Sequence, residues 1–295
     1  MSDRVGLVGL GFIGASIGER LATTGAPPVV FDLAPERVDA VVATGALAAP
    51  SALALAERCD LVLVCVQTDE QCLELVGGPA GLLDGLAAGA LICVLSTISP
   101  RTVDALAAAA SARGVDLLEV PMAGQGAKSV ADASMFVLAG GDDDLRERAR
   151  PTLERFARVV DTGPLGSGAA LKLAHNVMVY VSRIATMEAV ELARAAGVRD
   201  GLVAELTAQT GTLSEQSAVW LDIYEDRRRG HSDPVMDSNM TTAADLYEKD
   251  LRHAVALGAE LGIVLATSAV ASHYADEVYV VREHAPEPPT GGSGQ

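Results

Sequence analysis

Lys172 and Asn176 stand four residues apart in "GSGAALKLAHN", a spacing that places both side chains on one face of a helix. In a partly dehydrated cleft a lysine is less inclined to stay charged, so its amine can give and take a proton near neutral pH, while a nearby amide holds the oxygen concerned. A solvated lysine beside a locally bonded asparagine would show the same spacing, so the pair needs a context. The N-terminal stretch "VGLVGLGFIG", residues 5–14, supplies one, because Gly9, Gly11 and Gly14 interrupt a run of strand formers in the pattern G-x-G-x-x-G. The first glycine of such a pattern allows a tight turn, the second lets a pyrophosphate approach the backbone, and the third lets the next helix pack on the strand. Phosphate then sits at the helix N-terminus, on free N–H groups and the positive end of the dipole. Asp32, 18 residues after Gly14 at the end of "PPVVFDL", falls near the offset expected for a carboxylate that grips a ribose 2′-hydroxyl. It would repel a 2′-phosphate, and Leu33 follows rather than an arginine, so the pattern predicts NAD in preference to NADP. Arg37, one turn further on, either softens that preference or is a solvated helix residue.

Those residues need a sheet and a long helix to hold them. The runs "DLVLVCV" (60–66), "ALICVLST" (90–97), "DLLEVPM" (116–122) and "SMFVLAG" (134–140) are of buried-strand type, with Ala-rich amphipathic segments between them as far as about residue 162. This alternation predicts an α/β fold with a doubly wound parallel sheet, whose ligands bind beyond the carboxyl ends of the strands. Gln67, Thr68, Ser96, Thr97 and Met122 to Gly126 are therefore candidate contacts, each of which could equally be a capping or turn residue. From Ala169 onward the periodicity is helical, and "LKLAHNVMVYVSRIATMEAVELARAAG" runs to Gly197, a plausible stop. A helix of that length outreaches a normal domain core. The predicted organisation is a dinucleotide-binding domain over 1–162, an all-α domain for substrate and dimer contacts over 163–285, and a disordered Pro/Gly-rich tail over 286–295. Lys172 and Asn176 would lie in the first turns of the long helix, nearest the cleft between the domains.

Composition narrows the class. With 295 residues, 49% of them hydrophobic, and scattered charge, the chain reads as a soluble globular protein with ample core. A net charge of −17 argues against nucleic acid or an anionic membrane as partner, while a small anionic substrate stays compatible with a local pocket. Cys59, Cys65, Cys72 and Cys93 form no CxxC pair, and no secretory leader or apolar span is evident, so a cytoplasmic protein with reduced thiols is expected. His231, His253, His273 and His284 show no metal-ligand spacing, and no metal is expected. Arg227 to Arg229 in "EDRRRGHSDP" read as a solvated run in a polar loop, the alternative being a phosphate clamp. Trp220 and Tyr224, four apart, read as core or subunit-interface residues.

Four stretches in this order resemble the β-hydroxyacid dehydrogenase family, which includes 3-hydroxyisobutyrate dehydrogenase and the glyoxylate/succinic semialdehyde reductases. They are "GLVGLGFIG" (6–14), "STISP" (96–100), "GSGAALKLAHN" (166–176) and "EKDL" (248–251), and with "MEAVELARAAGV" they span nearly the whole chain. The resemblance implies a Rossmann domain followed by an all-α domain that dimerises or forms a higher homo-oligomer. It also implies NAD(P)-linked interconversion of a small hydroxy acid and its aldehyde or keto form. By position, Lys172 matches the catalytic lysine and Asn176 the asparagine that helps hold substrate. Gly9, Gly11, Phe12, Ile13, Gly14, Asp32, Gln67, Thr68, Thr97 and Lys249 fall on the cofactor side, and Asp250 with Met122, Ala123, Gly124 and Gln125 on the substrate side. Lys249 and Asp250 match a helical-domain pair that closes over the cofactor.

The chain departs from the family's Asp-x-Pro-Val-Ser-Gly-Gly, reading Glu119-Val120-Pro121-Met122-Ala123-Gly124-Gln125. Ala123 cannot donate to a substrate carboxylate as the family serine does, and Gln125 either supplies an amide donor from a neighbouring position or shapes a pocket for a different substrate. His175 replaces a common family asparagine and is either a second polar contact or a packing residue. The alternative activity is reduction of C=N bonds by the same two-domain plan, which the loss of the serine favours and Lys172 opposes. A catalytically silent nucleotide binder is opposed by the joint presence of Lys172, Asn176 and Lys249.

Overall fold

The computed structural model describes residues 3–231 and 234–279; His284 and the tail expected to be disordered at 286–295 lie outside the described residues. Two compact units divide the chain: Met1–Asn176 together with Ala256–Ile263, and Val177–Val255 together with the chain from Val264 on.

Among the described residues the first unit is built on one nine-stranded sheet. Its strands are β1 (Val5–Val8), β2 (Val29–Phe31), β3 (Leu47–Ala48), β4 (Leu61–Val64), β5 (Leu91–Val94), β6 (Asp116–Glu119), β7 (Met122–Ala123), β8 (Met135–Gly140) and β9 (Ala157–Gly163). Between them lie α1 (Phe12–Thr23), α2 (Pro35–Val42), α3 (Ala52–Ala56), α4 (Asp69–Gly77), α5 (Leu82–Gly85), α6 (Pro100–Ser111), α7 (Ala127–Ala131) and α8 (Asp143–Leu153). The order β3-β2-β1-β4-β5-β6 is parallel throughout, so β1 and β4 are neighbours at the point where the chain reverses direction across the sheet. In β4 the side chains alternate between two cores. Leu61 and Leu63 join Ile17 and Leu21 of α1 and Leu153 of α8, while Val62 and Val64 join Leu55, Val76 and Leu106 on the other face. All four β4 residues are fully buried, each contributing roughly 1.5–3 kcal/mol of apolar burial.

The sheet departs from the expected parallel form at its far edge. "DLLEVPM" is two strands rather than one, because Pro121 has no N–H and ends the ladder to β5 after Val120 N–H has donated to the Val94 carbonyl (2.8 Å). The Pro121 carbonyl accepts instead from Leu138 N–H at 2.9 Å, and β8 runs antiparallel to both β6 and β7. β9, which follows beside β8 in parallel, is a strand that the apolar pattern did not reveal.

Helix α9 (Ser167–Ala195) begins in the first unit and its residues from Val177 onward belong to the second. It starts four residues earlier than expected and stops before Gly197, whose φ of +80° lets Val198 N–H return to the Ala193 carbonyl at 2.9 Å. The second unit also holds α10 (Leu202–Gln209), α11 (Glu215–Arg228), most of α12 (Pro234–Glu260), α13 (Ala266–Ala271) and α14 (Ala275–Tyr279). Its core gathers Trp220, Tyr224, Tyr247, Leu251, Val278 and Tyr279, with the Trp220 and Tyr224 rings stacked at 5.3 Å and Tyr180 against Tyr247 at 4.6 Å. Arg227 corrects the expectation of a solvated loop: Glu225 to Arg228 complete α11, and the largely buried Arg227 side chain pairs with Asp237 (2.6 Å) and donates to the Tyr279 carbonyl (3.2 Å). No helix of the described residues is long and apolar enough to cross a membrane.

Candidate active site

The turn from β1 into α1 shows why three glycines are needed there. A Cβ on Gly9, which has φ +90°, would stand 2.2 Å from the Cys65 carbonyl oxygen, and one on Gly14 would stand 2.0 Å from the Gly9 oxygen. A Cβ on Gly11 would meet nothing within 4 Å. Two of the glycines thus close the turn, and the middle one keeps space clear over the start of α1. No side chain caps that helix, so its first-turn N–H groups and positive end are left for an anion of phosphate size.

Asp32 follows β2 and ties two turns together. Its carboxylate accepts from Leu10 N–H at 2.6 Å and from Ala34 N–H at 2.9 Å, and the Arg37 guanidinium lies 3.7 Å away. Arg37 is half exposed, so this pair is a weak one. Gly9, Gly11, Asp32, Arg37 and Gln67 line a cavity of about 870 Å³ in the first unit, enough for a nucleotide. Its wall also includes Glu70, Gln71 and Glu74 of α4 and the loops around Ser51 and Pro79. This donor and acceptor set, open over Gly11 and closed by a carboxylate at Asp32, fits an adenine dinucleotide.

Thr68 and Thr97 lie outside that lining. The Thr68 hydroxyl accepts from Gln71 N–H at 3.2 Å while Gln71 Oε1 accepts from Thr68 N–H at 3.3 Å, a reciprocal cap at the start of α4, and also from Gln67 N–H at 2.9 Å. In "STISP", Ser96 is used internally, its hydroxyl accepting from Val66 N–H at 2.9 Å, and Ser99 caps α6 ahead of Pro100. Buried Asp69 joins the two loops by accepting from Ser99 N–H (3.0 Å) and the Thr102 hydroxyl (2.6 Å). Nothing in the spacing had marked Asp69, because its partners lie about thirty residues on.

After β7, Gly124 is held by close approach, since a Cβ there would meet Met135 Sδ at 2.7 Å. Gln125 N–H donates to Ser129 Oγ at 2.7 Å, which fixes the backbone of the segment 122–125 while its side chain stays exposed. Met122 and Ala123 pair with Val137 and Phe136 of β8.

The first turns of α9 carry the charged group. Gly168 and Ala169 N–H donate to the two carboxylate oxygens of buried Glu119, each at 2.9 Å. Lys172 is half-buried and Asn176 buried. The His175 imidazole meets the Asn176 side-chain oxygen at 3.2 Å, which requires the proton on Nδ1. Burial lowers the His175 pKa; the bond to Asn176 works against that, and the positive charge of Lys172 adds to it. His175 is therefore a neutral donor at pH 7 that orients the Asn176 amide, beside Lys172.

The family model described as the NAD binding domain of 6-phosphogluconate dehydrogenase matches residues 4–198. The model described as NAD-binding of NADP-dependent 3-hydroxyisobutyrate dehydrogenase matches residues 166–284. The chain belongs to the β-hydroxyacid dehydrogenase family. NAD-dependent L-serine dehydrogenase of Pseudomonas aeruginosa is 33% identical over 222 residues, 75% of this chain and 73% of that protein. Two solved structures are similar along almost the whole chain. The 3-hydroxyisobutyrate dehydrogenase of Salmonella typhimurium is 25% identical with a TM-score of 0.81, covering 93% of each chain. That of Mycobacterium tuberculosis, solved with L-serine, is 26% identical with a TM-score of 0.76, covering 95% of this chain and 94% of that one.

This β-hydroxyacid dehydrogenase is an NAD(P)-dependent enzyme. Its candidate residues fall into groups. Gly9, Gly11, Asp32 and Gln67 line one cavity, with Phe12, Ile13 and Gly14 in the first turn of α1 beside it. Lys172 and Asn176 form a second group with His175. Lys249 and Asp250 belong to the other compact unit, where Lys249 Nζ lies 2.8 Å from the buried Asp250 carboxylate and Tyr180 donates to that carboxylate at 3.4 Å. Burial pushes the Tyr180 phenol well above its ordinary value, and the Asp250 charge adds to the rise.

Proposed function

We propose that this enzyme is an NAD-dependent dehydrogenase of a small 3-hydroxy acid, interconverting the acid and its aldehyde, with Lys172 as proton donor and acceptor. The observation that carries the reading is the first two turns of α9, where Lys172 stands one turn from an Asn176 amide held by a neutral His175. NAD supplies the hydride acceptor. The glycine turn and α1 hold its pyrophosphate and Asp32 its ribose, a carboxylate that favours NAD over NADP, with Gln67, Thr68, Thr97 and Lys249 as further contacts. On the substrate side the Lys172 amine takes the hydroxyl proton in oxidation and returns it to the oxygen in reduction. Asn176 holds that oxygen on the reacting side. Ala123 has no hydroxyl to offer a substrate carboxylate, so the exposed Gln125 side-chain amide takes that task, with Asp250 completing the substrate side.

The reading assigns 1–162 to the cofactor and 163–285 to substrate and dimer contacts. A homodimer is supported by apolar side chains left exposed on α9 and its neighbours, among them Met178 at 76% and Leu192 at 73%. Sedimentation that finds a monomer at micromolar concentration would remove this part. A cytoplasmic setting fits four cysteines none of which forms a disulfide.

The test is NADH formation from L-serine and from 3-hydroxyisobutyrate by wild type, Lys172→Ala and Lys172→Arg. Loss of a general acid–base group typically costs about 10²–10⁴-fold, so kcat falls by that range in Lys172→Ala, while NADH affinity is unchanged. Arginine rescues little because its guanidinium does not release a proton near neutral pH. Retention of more than about a tenth of wild-type kcat, less loss than such catalysis supplies, excludes Lys172 as the proton donor. Faster turnover of cyclic imines than of any hydroxy acid would instead favour the C=N reading that Ala123 leaves standing.

A further inference from the structure

Glu119 is a carboxylate with almost no solvent contact, 1% exposed, at the end of β6. Its two oxygens take the N–H groups of Gly168 and Ala169, the first turn of α9. In the helical ladder the Lys172 N–H is set on the Gly168 carbonyl, so the residues tied to Glu119 lie one turn before Lys172 and carry its backbone. The same turn is pinned from the other side: a Cβ on Gly168 would stand 2.3 Å from the Leu138 carbonyl oxygen, and the Ser167 hydroxyl meets that of Thr162 at 2.8 Å. Gly140 leaves room for the carboxylate, since a Cβ there would stand 2.3 Å from Glu119 Oε1. We infer that Glu119 is a positioning residue for the reaction: by clamping the first turn of α9 it fixes the height and rotation at which Lys172 and Asn176 meet the substrate. The inference rests on the proposed role of Lys172 and goes beyond it, because it assigns a task to a residue that touches neither substrate nor cofactor.

An anion at a helix N-terminus is favoured by the dipole and by charge-assisted hydrogen bonds. A glutamine of the same shape keeps one acceptor and turns an NH₂ group towards the second N–H, so the clamp holds at one point and the turn can tilt. A misplacement of about 1 Å at a reacting group can cost about 100-fold in rate.

The experiment compares Glu119→Gln, Glu119→Asp, Gly140→Ala and the double variant Glu119→Gln/Gly140→Ala with wild type and Lys172→Ala, all as full chains. The readouts are kcat and KM for the better of L-serine and 3-hydroxyisobutyrate, NADH affinity, and the rate at which acetic anhydride labels Lys172 with NADH present. Glu119→Gln is expected to lower kcat by about 10- to 100-fold, with KM and NADH affinity within about threefold of wild type and Lys172 labelling altered. Glu119→Asp, which restores the charge and both acceptors, recovers much of the loss. Gly140→Ala displaces the carboxylate and lowers kcat without removing it, and the double variant falls no further than the worse single one, because both act through one clamp. A general loss of packing would instead lower the yield of folded enzyme and leave kcat per folded molecule unchanged. If kcat and Lys172 labelling in Glu119→Gln and Gly140→Ala stay within twofold of wild type, the inference is overturned; should Glu119→Gln not fold, Gly140→Ala alone decides. The Lys172→Ala arm separates the two levels, since activity retained there rejects the role of Lys172, whereas activity lost there and kept in the Glu119 variants rejects only the clamp.

Discussion

Helices α1 and α9 both start on glycine-bearing turns within the first unit, and their first turns are used in opposite ways. At α1 no side chain caps the helix, and the space over Gly11 is clear. At α9 the protein fills the equivalent position with its own buried carboxylate, Glu119, on the N–H groups of Gly168 and Ala169. The electrostatics are the same in both places, since orphan N–H groups and a positive helix end attract an anion. What differs is whether the anion belongs to the ligand or to the fold. An N-terminus left open becomes a binding site, whereas one closed by a buried carboxylate becomes a rigid mount for whatever stands one turn later.

The sharpest way to break this contrast is to add a methyl group at each glycine. Gly14→Ala puts a Cβ 2.0 Å from the Gly9 oxygen, backbone that cannot move away without opening the turn. Overpacking of this kind costs typically about 1–3 kcal/mol, so both thermal stability and NADH affinity should fall. Gly168→Ala, with its Cβ 2.3 Å from the Leu138 oxygen, should cost similar stability while leaving NADH affinity intact. Gly11→Ala is the informative control. Its Cβ meets no protein atom within 4 Å and its φ is −64°, so the fold should melt as wild type does while NADH binding weakens at least tenfold, about 1.4 kcal/mol. Calorimetric melting and fluorescence titration of NADH check all three, and equal NADH affinity in Gly11→Ala and wild type would mean that the space over Gly11 is not where the pyrophosphate lies.

Much of this contrast was legible beforehand on one side only. The spacing of Gly9, Gly11 and Gly14 announced one helix start because every residue involved lies within six positions, and the apolar runs of β1, β4 and β5 announced the strands because each is buried on both faces. Glu119 was noticed only as a departure from a motif, since the N–H groups it holds lie 49 and 50 residues further along and leave no local trace. Asp69 escaped for the same reason, its partners Ser99 and Thr102 lying 30 and 33 residues on, and Arg227 reads as solvated in sequence because its partners Asp237 and Tyr279 lie 10 and 52 residues away. The strand β9 escaped because "ARVVDTG" mixes charges into a run that is buried only at its start. Periodicity reports local order, and long-range hydrogen bonds lie beyond its reach.

A smaller effect tests the carboxylate that does stand near the open helix. Asp32 spends one oxygen on Leu10 N–H and the other on Ala34 N–H, which fixes it beside the turn without closing it. Asp32→Ala should weaken NADH and strengthen NADPH, narrowing the preference by about tenfold, roughly 1.4 kcal/mol. Arg37, released from its 3.7 Å contact with Asp32, is then placed to meet a 2′-phosphate. Adding Arg37→Ala to this variant should return NADPH affinity to the wild-type value; titration of both cofactors against both variants reads the change, and tighter NADPH than NADH binding by the wild type would contradict the assigned role of Asp32.

The smallest expected effect concerns the closed helix and its dependence on pH. Burial raises the Glu119 pKa above the ordinary carboxylate value, the N–H groups of Ala169, Gly168 and Gly166 pull it back, and the negative charge of Asp104 adds to the rise. The net shift is upward, so the folded chain holds this proton more tightly than the unfolded chain does. Stability from this group is therefore fully present below the unfolded value of 4.5 and is lost as pH rises through the folded value. Glu119→Gln removes the titration, so the melting temperature of the variant relative to wild type should climb as pH is raised from 4.5 through the folded-state value and then level off. This sets stability against positioning at a single residue. A carboxylate kept only to hold the fold together would make the glutamine variant progressively worse over that range, whereas one kept to mount Lys172 can cost stability at neutral pH and still be required for turnover. Paired melting curves of wild type and Glu119→Gln at several pH values between 4.5 and 8 decide between them, and a difference that moves against the variant as pH rises would show that the N–H bonds outweigh burial.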